Sequence, residues 1–113
     1  MTHIPSSFDI HMDRLQRLRE MLAQQPTDPF LNHALALEEI KLGNDAAARS
    51  LFESILQQDP NYVGSYYHLG KLLERQGEEA FAIEVYERGM EVAKKQGDNH
   101  ALNELRGAYD NLI

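Results

Sequence analysis

The chain has no cysteine among its 113 residues. A disulfide scaffold and a cysteine-ligated metal site are thereby excluded, and a reducing compartment is permitted. It also has no basic excess: 11 Lys and Arg stand against 18 Asp and Glu, a formal net charge of −7. Nucleic acid and anionic membrane surfaces are therefore not expected as partners, because their affinity rests on many cationic contacts to phosphate. No apolar stretch approaches the ~18 residues that mark a candidate membrane span. The opening MTHIPSSFDIHMDRL lacks a basic segment followed by an apolar run, so no secretory leader is expected, and the expected location is cytoplasmic.

Chemistry-bearing motifs are missing as well. There is no Gly-x-Ser-x-Gly, no glycine-rich phosphate loop with its lysine and no His-Glu-x-x-His. Five histidines, at 3, 11, 33, 68 and 100, include no pair three or four apart with a carboxylate partner, so no metal and no cofactor is expected. Glu38-Glu39 and Glu78-Glu79 are adjacent carboxylates, but neighbours on a helix point about 100° apart and do not share a site. They are expected on a solvated face or near a helix N-terminus, where acidic groups are favoured. The sequence predicts no enzyme.

What is present is helical periodicity. Sustained apolar–polar alternation and Asn-Gly hairpin turns are lacking, so strands are not expected. The spacing predicts six helices in one domain covering 9–113, preceded by a disordered tail at 1–8 that contains Pro5 and two serines. The first helix runs from about Asp9 to Gln25, stopped by Pro26. The second has Asp28 as its N-cap and Pro29 in its first turn, and it ends before Gly43. The third spans about Asp45 to Gln58 and stops at Asp59-Pro60. The fourth is capped by Asn61 and ends at Gly77. The fifth spans about Glu79 to Gln96 with Gly97 as its stop, and the sixth runs from Asp98 nearly to Ile113.

The helices repeat. ALALEEIKLGNDAAARSLFESI, beginning at Ala34, superposes on HLGKLLERQGEEAFAIEVYERG, beginning 34 residues later at His68. Leu35 falls on Leu69, Gly43 on Gly77, Ala48 on Ala82 and Phe52 on Tyr86. Upstream, LREMLAQQP from Leu18 falls on FESILQQDP from Phe52 with the same offset, so Pro26 meets Pro60. A fixed period of this length built from helix pairs is the signature of a stacked helical array. Small Ala36 and Gly70 are expected where the two helices of a unit cross, Ala48 and Ala82 where the second helix meets its neighbours, and Phe52 and Tyr86 in the space between. The final helix carries a single apolar stripe (Ala101, Leu105, Ala108, Leu112) and otherwise polar residues, as a terminal cap should.

This pattern resembles the tetratricopeptide repeat family from about Arg14 to Ile113. Leu35 and Leu69, Ala36 and Gly70, Ala48 and Ala82, Phe52 and Tyr86, and Pro26 and Pro60 stand where that family keeps its signature residues. Asn32, Glu39, Ile55 and Lys94 depart from it. The resemblance implies an all-α, right-handed superhelical array of antiparallel helices: a half unit, two full units and a terminal half unit. It further implies a non-catalytic protein–protein interaction module whose first helices line a concave groove for a peptide or helix. The groove positions hold Phe30, His33, Leu37, Ile40 and Lys41 in the first unit. In the second they hold Tyr67, Lys71, Glu74 and Arg75, with Leu105 and Tyr109 added from the last helix. A partner with apolar anchors and acidic residues is the expectation, and a homodimer through the same apolar face is the alternative. One narrower family function is not supported. The residues that would hold a chaperone's C-terminal carboxylate are replaced by His33, Leu37, His68, Asp98 and Leu102.

Overall fold

The computed structural model describes residues 7–113 in their backbone, and side chains from Asp13 onward. Most of the expected disordered tail at 1–8 lies outside the described residues. Six helices follow one another: α1 (Ser7–Gln24), α2 (Pro29–Lys41), α3 (Asp45–Gln58), α4 (Gly64–Arg75), α5 (Glu79–Gln96) and α6 (Asn99–Asp110). They form an elongated stack of 55 × 28 × 23 Å. Each helix packs on its neighbours in sequence, and α4 also touches α6. Among the described residues there is no strand, and no helix is long and apolar enough to cross a membrane.

Local chemistry sets the boundaries. The Asp28 carboxylate accepts the Leu31 backbone N–H at 3.0 Å, a cap worth about 1 kcal/mol, and Pro29 follows where its missing N–H costs nothing. Asp98 repeats the device on Ala101 for α6. At the helix ends Gly43 and Gly77 occupy the left-handed region at φ 80° and 77°. Equivalent bonds close the two turns, Asn44 N–H to Glu39 O and Glu78 N–H to Leu73 O. One expected boundary moves. Asn61 does not cap α4, which starts at Gly64 after Val63; the Asn61 N–H instead bonds the Asp59 carboxylate at 3.2 Å, within the turn that follows α3.

The repeat positions form the core. Ala36, Ala48, Phe52, Ala82 and Tyr86 are each fully buried. Gly70 of α4 makes room for Tyr86 of α5: a Cβ there would stand 2.1 Å from Tyr86 Cε1. The Tyr86 ring therefore lies against a position that tolerates no side chain, and its hydroxyl donates to the Glu74 carboxylate.

The adjacent carboxylates of α2 are not on a solvated face. Glu38 and Glu39 are only 4% and 7% exposed. One period later the same positions hold buried Leu72 and Leu73. Arg14 of α1 lies 3.5 Å from Glu38, and Arg19 lies 3.7 Å from Glu39, which also accepts from Asn44 Nδ2 at 2.9 Å. A buried carboxylate needs such partners, so the α1–α2 junction carries ion pairs at repeat positions that hold leucine one unit later.

Candidate functional site: a cleft between the first helices

The first helices of the two full units, α2 and α4, flank a cleft of about 400 Å³. Its lining follows the repeat. Ala34, Leu37 and Lys41 on α2 stand at the positions that His68, Lys71 and Arg75 occupy on α4, and Ile40 and Glu38 complete the wall. Spacings of three and four place each set on one stripe of its helix. Leu37 and Ile40 are half-buried, packed against the core from one side and open to the cleft on the other.

The cations sit on the rim, and each has a carboxylate beside it. Lys41 Nζ lies 3.4 Å from Glu38, Lys71 Nζ 3.6 Å from Glu74, and Arg75 makes a two-bonded contact to Asp45 at 3.1 and 3.2 Å. The positive charge of this strip is thus neutralised in place. The partly exposed Arg75–Asp45 pair is of the kind that contributes about 0–1 kcal/mol, so exchanging Asp45 for a carboxylate from a ligand costs little.

Behind the cleft lies a cluster of rings. The His33 ring centroid is 5.4 Å from both Phe52 and His68 and 5.5 Å from Tyr62, and His68 stacks on Phe52 at 5.9 Å. His33 Nδ1 and the fully buried Ser65 hydroxyl form a 2.9 Å hydrogen bond. Burial, reinforced by the neighbouring His68, lowers the pKa of His33 to about 4. Burial also lowers that of His68, opposed by the charge of Glu104. Both rings are therefore neutral at physiological pH, and the floor of the cleft is uncharged.

Five of the residues expected to line a groove come together here: Leu37, Ile40, Lys41, Lys71 and Arg75. The other six do not join them. Phe30 is 68% exposed and lies with Met21 at the α1–α2 edge. His33 is spent on the ring cluster behind the cleft. Tyr67 packs edge-on against His68 and carries the Lys71 ammonium 5.7 Å from its ring centroid. Glu74 holds the Tyr86 hydroxyl. Leu105 is 1% exposed and belongs to the core, because α6 turns its apolar stripe inward onto α5, where Leu105 fills the space beside Gly89. Tyr109 is half-buried against the same core. Conversely, His68 and Ala34 line the cleft without having been expected there. The sequence signal was available: His68 lies one turn before Lys71 on the stripe that continues to Arg75, whereas a spacing of four from Tyr67 drifts off that stripe. Among the described residues no group of three potential metal ligands converges.

Comparison with known proteins places this geometry in context. No protein-family model matches the chain. A TPR repeat-containing protein of Pseudomonas aeruginosa is 28% identical over 91 residues, 80% of this chain and 87% of that protein. The crystal structure of a tetratricopeptide repeat domain protein from Salinibacter ruber is 46% identical, with a TM-score of 0.73, over 75% of this chain and 94% of that one. The TPR2B domain of yeast Sti1, solved as a complex with pHsp70, shares the fold with a TM-score of 0.82 at 19% identity, over 90% of this chain and 82% of that one.

Proposed function

The chain belongs to the tetratricopeptide repeat family, and on that premise we propose that it is a non-catalytic interaction module that takes a partner peptide or helix in the cleft between α2 and α4. One observation carries this reading. The same repeat positions of two successive first helices face one cleft, and they leave Leu37 and Ile40 half open between the rim cations Lys41, Lys71 and Arg75. The partner's apolar side chains bury against Leu37 and Ile40. Its Asp or Glu side chains displace Asp45 from Arg75 and approach the open sides of Lys41 and Lys71, and so set orientation and encounter rate. The yeast Sti1 domain in complex with pHsp70, alike in fold, supports a peptide-like ligand. The residues at this chain's matching positions do not support capture of a chaperone tail.

The test uses peptides selected from a displayed random library against the parent protein. Leu37→Ala weakens their binding by ~1–3 kcal/mol, as truncating a central apolar anchor does. Lys71→Glu mainly slows association and reduces its salt dependence. Circular dichroism serves as the folding control. Variants that stay folded and bind as tightly as the parent would place the site elsewhere.

A further inference from the structure

The larger cleft of the molecule is on the other side. Between the second helices α3 and α5, over the α4 floor, lies a space of about 750 Å³. Leu69 and Leu73 form its floor, Leu56 and Val85 its walls, and Arg49 closes one end through bonds to Glu53, Gln76 and Glu78. The repeat provides an internal control for what packing alone requires on this face. On α3 the outward stripe reads Ala47, Ser50, Leu51, Ser54. On α5 the equivalent stripe reads Phe81, Glu84, Val85, Arg88, with the same spacing of one face of a helix. Leu51 and Val85 are both apolar, but α3 takes its place in the array with Ala47, Ser50 and Ser54, so the array does not need Phe81, Glu84 and Arg88 there. Phe81 is 54% exposed beside a cleft with an apolar floor. Glu84 and Arg88, one turn apart, are exposed, and neither is in an ion pair among the described residues.

We infer that this face is an isologous interface with a second copy of the chain, α5 lying antiparallel to the partner's α5. Two features make the surface self-complementary, as a two-fold interface requires. Opposite charges one turn apart meet their counterparts when the helix is reversed: Glu84 meets the partner's Arg88, and Arg88 meets the partner's Glu84. The two-fold axis then passes level with Tyr86. Phe81 lies five residues to one side of that level, so it meets the partner level with Glu91, five residues to the other. By the repeat offset that level on α3 is Gln57, where Leu56, Gln57 and Pro60 line the open end of the cleft. Each Phe81 therefore fills the other copy's cleft. The knob, the hole and both charges come from one surface, which singles out a second copy over an unrelated partner.

Sedimentation velocity across a wide concentration range tests this. The parent self-associates to a dimer. Phe81→Ala weakens the dimer at least ~10-fold, the scale of losing a central aromatic anchor. Glu84→Arg and Arg88→Glu each weaken it by a similar factor, because each places like charges opposite one another twice. The double variant Glu84→Arg with Arg88→Glu restores dimerisation, which only reciprocal pairing of these two residues produces. A parent that stays monomeric throughout overturns the inference. So do single charge reversals that dimerise like the parent, or a double variant that fails to recover. All three positions are on the surface, and circular dichroism verifies that each variant is folded.

Discussion

Gly70 is the tightest point of the array, and its consequences are local and measurable. Any Cβ there meets the Tyr86 ring, which is fixed on its far side by burial and at its hydroxyl by Glu74. Gly70→Ala lowers stability by about 1–3 kcal/mol, the usual cost of overpacking a filled core, and thermal or denaturant unfolding reads the loss directly. The histidine pair behind the cleft gives a second prediction at this scale. His33 titrates near 4 in the fold and near its ordinary value of 6.5 when unfolded. Below pH 6.5 the unfolded chain thus binds more protons, and stability falls as pH drops from 6.5 towards 4. His68 adds to the same trend. The His33→Gln variant, which keeps a partner for Ser65, therefore loses less thermal stability between pH 7.5 and 5 than the parent does. Equal losses would show that the ring is not buried as described.

At the scale of the element, α1 is the helix whose docking differs in kind. It packs with Leu15 and Leu18 but is also held by Arg14 and Arg19 on carboxylates that later units replace with leucine. Arg14 stands where α3 and α5 carry the small Ala48 and Ala82. By the repeat offset, α6 carries His100 and Glu104 where α4 has Tyr66 and Gly70. Arg19→Ala leaves Glu39 with Asn44 alone. It speeds amide hydrogen exchange in α1 several-fold while α4 and α5 keep their protection; uniform change across all helices would contradict an independently docked α1. Much of this level was legible in the sequence. Prolines, glycines and capping aspartates gave α3 and α5 their observed limits and α2 its cap. The start of α4 was not, because Asp59 competes with Asn61 for the same turn. The burial of Glu38 and Glu39 was hidden too, since their partners lie on another helix and no local pattern announces them.

For the whole molecule, the 34-residue period decides the fold, and it also explains which part of the site could be read in advance. Stripes on α2 and α4 that share repeat positions must face the same cleft, which is why Leu37, Ile40, Lys41, Lys71 and Arg75 were found together. Leu105 lies in the core and Tyr109 is half-buried against it, because the apolar stripe of α6 packs inward onto α5. Phe30 failed because it sits at the helix entrance, on the α1 side. The rim ion pairs were invisible because Asp45 reaches Arg75 from the start of a different helix. The central claim is that the α2–α4 cleft receives a peptide. Amide chemical-shift mapping with a library-selected peptide tests it most directly. The largest saturable shifts are expected on Ala34, Leu37, Ile40, His68, Lys71 and Arg75, with selected peptides that combine apolar residues with Asp or Glu. Shifts concentrated on α3 and α5, or peptides without that composition, would contradict it.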